Sequence, residues 1–270
     1  MLRRCCLFLC LVCLGCHSVV PEAIREPVPE PQPGPSIQAA ELWEKGQLAM
    51  QQEQRKQAIA LYEQSLALDP SLTCNYLSLA AAHIEDGNEE AAGRYLARFV
   101  EINPGHLSAR AFLAELLLRL HRPQEARGHL ERFIADAQEA GAEQDSPIIH
   151  SHSRLMEIAE TEDNAYEVHL NRGIGLYLLA RQRADLEDPE ELPADGLLWK
   201  AAQELAQAQA LRPREARPCW YLYAVWHGLA QQQPARRWLR LGLENAPFSS
   251  LTPAEQRGLY RAGQDLQRPM

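Results

Sequence analysis

The sequence predicts an all-α solenoid of about five helical hairpins followed by a C-terminal capping helix. Three observations carry that expectation. Small residues and prolines recur twelve positions apart, as in Gly46, Ala58 and Pro70, then Ala80, Ala92 and Pro104, then Ala114, Ala126 and Gln138. Each set lies 34 positions after the one before, and the spacing returns late in the chain as Ala201 with Pro213 and as Tyr223, Ala235 and Pro247. A large residue stands four positions after each second small residue: Tyr62, Leu96, Leu130, Leu205 and Leu239. A small residue on one helix lets its neighbour approach closely, the large residue fills the space beside it, and a proline stops the second helix. Repetition of this unit at a fixed period reads as a stack of hairpins.

Along the chain, residues 37–138 hold three such repeats. A linking helix at 139–164 starts from Ser146-Pro147 and has no matching triplet. Two further repeats fill 165–247, the first beginning with Gly173 and widened by an acidic insertion at 181–196. The final segment, 248–270, opens with Thr252-Pro253-Ala254-Glu255, which places an N-cap, a proline at the first helical position and a reciprocal Glu in order. It reads as a helix covering the open end.

The segments ALYEQSLALDP at 60–70 and AYEVHLNRGIGLYLLA at 165–180 resemble the tetratricopeptide repeat (TPR) family. The resemblance spans 37–247 and implies a right-handed TPR-type α-solenoid acting as a non-enzymatic scaffold for a protein or peptide partner. In that family a groove is lined by first-helix positions around the small slot. Carried over, they are Trp43, Gln47, Leu77, Ala81, Ile84, Glu115, Arg119, Leu170, Ile174, Tyr177 and Trp220. The set used by TPR domains that clamp a C-terminal carboxylate is absent, because its slots hold Trp43, Gln47, Ser78, Ser108 and Phe112. Two states of the groove remain open at this point: free for a partner, or filled by the protein itself, for instance by the helix at 146–160.

Before the repeats come Met1-Leu2-Arg3-Arg4, an apolar run at 5–14, and Gly15-Cys16. A run that short suits the core of a secretory signal and not a membrane-spanning helix. The whole resembles the lipobox of bacterial lipoproteins, although Cys13 stands where that motif prefers Leu. It implies a signal peptide at 1–15, a palmitate-bearing lipid anchor on Cys16, and attachment to the cell envelope, with His17 favouring the outer membrane facing the periplasm. Prolines at 21, 27, 29, 31, 33 and 35 make 16–36 an extended tether. Cys13, Cys16 and His17 also satisfy the attachment motif of a c-type haem. That alternative, an electron carrier, conflicts with cleavage before Cys16, which would discard Cys13.

The net charge of −9 argues against nucleic acid as a partner. Residues 196–270 nevertheless carry ten Lys and Arg against five Asp and Glu. There Trp220 and Trp238 read as the exposed aromatics beside the arginines. Cys74 and Cys219 belong to distant repeats and are expected to be free thiols. His150, His152, Glu157, Glu160 and His169 lack the one-face spacing of a helical zinc pair, and the acidic run from Asp185 to Asp195 lacks the ligand pattern of a calcium loop. No catalytic or phosphate-binding motif is present, so the sequence gives an expectation of no cofactor, no metal and no enzyme. A small-ligand or cell-wall-peptide binding protein is the remaining alternative.

Overall fold

A computed structural model describes residues 37–141, 146–184 and 194–267. The signal, anchor and tether at 1–36 and the acidic positions at 185–193 lie outside these residues. The described chain folds into twelve α-helices with no strand: α1 Ile37–Gln51, α2 Arg55–Leu68, α3 Cys74–Glu85, α4 Glu89–Ile102, α5 Leu107–Arg119, α6 Pro123–Glu139, α7 Ser146–Thr161, α8 Ala165–Ala184, α9 Ala194–Leu211, α10 Ala216–Gly228, α11 Gln232–Asn245 and α12 Pro253–Gln267. A short 3₁₀ turn, Ala246–Phe248, precedes the last helix. The chain divides into two compact units between His121 and Arg122, inside the third predicted repeat.

The twelve-residue spacing has a direct steric cause. A Cβ built on Gly46 would lie 2.4 Å from Cε1 of Tyr62, and one built on Gly173 would lie 2.7 Å from Cγ of Leu205. Each glycine therefore faces the large residue that its repeat places on the following helix, and the helices meet backbone to side chain. Ala58, Ala92, Ala126, Ala201 and Ala235 are all buried at the same seam.

Prolines act one or two residues beyond the helix ends. Asp69, just before Pro70, is extended with φ −141° and ψ 91°, and Asn103, before Pro104, has φ −121° and ψ 70°. A proline ring disfavours the helical conformation at the residue before it, and these two helices stop there.

A second signature lies in the turns. Glu53, Gly87 and His121 have φ of 60°, 81° and 56° at intervals of 34, and Asp163 and Ala230 share the conformation at 53° and 56°. In four of these turns an amide reaches back five residues: Gln54 to the Ala49 carbonyl, Asn88 to His83, Asn164 to Ala159 and Gln231 to Trp226. This left-handed C-terminal cap satisfies carbonyls that the helix end would leave bare. The same turn joins α7 to α8, a pair the sequence pattern does not link. Thus α7 stands in the row between α6 and α8, with Ile148, Leu155 and Ile158 buried.

Within the second unit the last helix also reaches its first. The Thr252 hydroxyl donates to Gln138 Oε1 at 2.7 Å, and Arg257 Nη2 bonds the Glu139 carboxylate at 2.8 Å. Gly258 of α12 lies over the Trp220 ring, where an added Cβ would be 2.7 Å from Cζ2. The expectation of an exposed Trp220 is therefore corrected: α12 covers it, with Tyr223, Leu243 and Leu251 in the same cluster. Trp199 is the outward tryptophan instead, 52% exposed.

Candidate functional site

Where α6, α7, α8, α10 and α12 meet, the second unit holds a connected polar network. Thr252 and Glu255 cap α12 reciprocally, each backbone N–H donating to the other's side chain at 2.8 and 3.2 Å. This frees the Glu255 carboxylate to face inward, where it is 3% exposed. Arg217 Nε on α10 donates to its two oxygens at 3.0 and 2.9 Å, and the Tyr221 hydroxyl donates to Oε1 at 2.9 Å. Gln138 Nε2 in turn donates to the Tyr221 oxygen at 3.3 Å.

Burial opposes the charge on Arg217, but the adjacent Glu255 carboxylate outweighs it and holds the guanidinium protonated, above its ordinary range. Burial, reinforced by the same carboxylate, raises Tyr221 well above the usual phenol value. A buried charge keeps its place only when paired and hydrogen-bonded, and this pair meets that condition.

Beside the network, His152 on α7 is buried with its Nδ1 2.9 Å from Asn171 Oδ1. Asn171 Nδ2 donates to the Glu167 carbonyl at 2.9 Å, which turns Oδ1 toward the imidazole. The proton therefore sits on Nδ1, and Nε2 is left as a bare acceptor with no partner among the described residues. Burial lowers the pKa of His152 to about 4, so the ring is neutral at physiological pH. Glu131 on α6 is shifted the other way: burial, with Glu167 nearby, raises its carboxyl above the usual value although Arg127 opposes this.

The groove positions carried over from the resemblance fall in both units. In the first, Trp43 Nε1 and Gln47 Nε2 both donate to Ser78 Oγ, at 2.9 and 3.1 Å. Leu77 beside Ser78 is buried, whereas Ala81 and Ile84 are partly exposed. Glu115 is partly exposed, and Arg119 is exposed and paired with Glu89 at 2.9 Å. In the second unit Leu170 and Ile174 are buried, and Tyr177 sits edge-on to Tyr221 at 5.8 Å. Through Tyr221, Tyr177 borders the network of Arg217 and Glu255 in that unit.

The other flagged groups are separate. His169 Nδ1 lies 2.6 Å from Glu204 Oε2, His150 is exposed, and no cluster of three or more metal-ligating side chains occurs among the described residues. Cys74 and Cys219 are free thiols. Burial pushes Cys219 up to about 12, which leaves it unreactive at neutral pH.

Residues 46–133 match the family model described as anaphase-promoting complex, cyclosome, subunit 3. The consecutive packing of the twelve described helices, with the 34-residue pairs and their shared turn, decides the architecture. The fold is a TPR-type α-solenoid. No curated protein matches the chain. Solved structures similar to it include MamA, 15% identical over 80% of this chain and 98% of that one, with a TM-score of 0.40. PilW, described as a widely conserved type IV pilus biogenesis factor, is 16% identical over 83% and 99%, with a TM-score of 0.37. BtubC from P. vanneervenii is 14% identical over 86% and 82%, at 0.41.

Proposed function

We propose that the protein is a membrane-tethered TPR adaptor that holds a protein or peptide partner in the cell envelope. The observation that carries this reading is the α1–α3 face of the first unit, where Trp43, Gln47 and Ser78 form a hydrogen-bonded cluster beside the partly exposed Ala81 and Ile84. An indole edge and an amide next to small apolar residues suit an extended backbone or an amphipathic helix. The Leu14-Gly15-Cys16 sequence after a short apolar run supports lipid anchoring, and the prolines at 16–36 supply reach from a membrane surface. No helix among the described residues is long and apolar enough to cross a membrane.

The test places a photo-crosslinking amino acid at Gln47 or Ala81 in cells and identifies captured proteins by mass spectrometry. A specific partner lost on Ala81→Glu supports the adaptor, and capture unchanged by that substitution counts against this face. Membrane fractionation of Cys16→Ser checks the anchor. Loss of the membrane-bound form is expected, and full retention with normal processing removes the lipid-anchor reading.

A further inference from the structure

A cleft of about 340 Å³ opens in the second unit beside the polar network. Its size falls at the low end of the roughly 300–1,000 Å³ typical of small-molecule sites. Glu131, Glu167, His152, Arg217, Leu155 and Leu251 line it. These residues come from α6, α7, α8, α10 and the segment leading into α12, so folding of the whole unit assembles the cleft.

Two of its polar groups have unused capacity. Arg217 approaches Glu255 through Nε alone, and its two terminal nitrogens bond to no described residue. The side chain is 27% exposed, and it reaches solvent through the cleft. His152, 3% exposed, lines the same space, and its Nε2 has no hydrogen-bond partner among the described residues. A buried polar atom is satisfied by a hydrogen bond, so a ligand N–H that reaches this acceptor is matched.

The remaining wall is anionic. Glu131 forms no hydrogen bond or ion pair with any described residue, and Glu167 stands 4.0 Å from Arg212. With Arg217 balanced by Glu255, the two other carboxylates leave the cleft lining net negative, with a guanidinium within it. Leu155 and Leu251 provide apolar surface beside both. A molecule carrying an ammonium, a carboxylate and a short apolar group complements all of these features.

We infer that this cleft binds a free amino acid or dipeptide, with its ammonium held by Glu131, Glu167 and His152 Nε2 and its carboxylate by the terminal nitrogens of Arg217. The inference stands independently of the adaptor reading, which concerns the first unit. Charge-assisted hydrogen bonds at both ends supply affinity and direction.

The experiment is calorimetric titration of the purified chain with leucyl-alanine, its N-acetyl form, its C-terminal amide and the twenty free amino acids. Binding by the dipeptide or at least one amino acid is expected, with a loss of about tenfold or more when either end of the ligand is blocked. Glu131→Gln should weaken binding by about tenfold and leave the melting temperature in place. The inference is overturned if no probe binds at about 1 mM. It is equally overturned if the acetylated dipeptide or the Glu131→Gln protein binds undiminished. Equal binding of the C-terminal amide overturns it in favour of a polypeptide N-terminus.

Discussion

Asn75 and Ser65 hold each other inside the first unit: Asn75 Nδ2 donates to Ser65 Oγ at 2.8 Å, and the Ser65 hydroxyl donates onward to the Ala39 carbonyl at 2.6 Å. All three residues are buried, and the chain links α1, α2 and α3. Ser65→Ala removes the relay and takes away the acceptor of the buried Asn75 amide. The expected loss is about 2 kcal/mol, measured by urea unfolding. An unchanged midpoint would mean that water takes over the relay.

The left-handed turns predict a pair of opposite effects. Ala230 has φ of 56° and carries a Cβ there, whereas Gly87 has φ of 81° with nothing within 4 Å of the position a Cβ would take. Ala230→Gly should therefore stabilise the protein and Gly87→Ala destabilise it, each by about 1 kcal/mol. Thermal melting of the two variants decides the matter, since a shift of the same sign in both would contradict backbone strain as the cause.

Close approach of α8 and α9 makes Gly173 intolerant of even a methyl group. Besides the Leu205 side chain, the Leu205 backbone nitrogen would lie 3.2 Å from the added Cβ. Backbone cannot move aside as a side-chain tip can. Gly173→Ala should cost about 1–3 kcal/mol by overpacking. A calorimetric melting curve provides the check, and no loss would show that the helices separate freely.

Glu255→Gln tests the network between α10 and α12. It removes the charge that matches Arg217 and disturbs the acceptor shared with Tyr221. Breaking one side of such a buried pair costs about 3 kcal/mol. Because α12 covers Trp220, partial release of that helix should also shift tryptophan fluorescence to longer wavelength. A normal spectrum together with wild-type stability would show that the pair contributes no net binding of α12.

His152 gives a pH dependence with a definite sign. Unfolded, the imidazole takes up a proton near pH 6.5, whereas in the fold burial keeps it neutral down to about pH 4. The contribution is complete above pH 6.5 and is lost as the pH falls toward 4, because acid then favours the unfolded chain. It amounts to about 3 kcal/mol over the full interval. Unfolding at pH 7 and pH 5 in the wild type and in His152→Leu isolates the effect, and parallel slopes in the two proteins would exclude it.

Much of the fold could be read because its cause is local and repeats. Gly46 meets Tyr62 and Gly173 meets Leu205 through the same geometry, so the spacing survives even where the rest of the repeat has diverged. The cap at Thr252 and Glu255 is likewise written within four residues. The turns were hidden because their left-handed position is held by Glu53, His121, Asp163 and Ala230, and only at Gly87 and Gly141 by the glycine that normally marks it. The polar network was invisible for another reason. Glu255 looks like a helix cap, Arg217 like part of a basic face and His152 like one of several histidines, and only the return of α12 brings them together. The covering of Trp220 follows from the same return.

That return also changes how the second unit can grow and fold. In an open array each repeat touches only its neighbours, so hairpins can be gained or lost at little cost, and ordering can begin anywhere and spread. The bond from Thr252 to Gln138 spans 114 positions and ties the last member to the first. An added hairpin would pull those residues apart, so the copy number of this half is locked by its own closure. Its two ends must find each other before the structure is complete, and this half should melt as one block without fraying from an end.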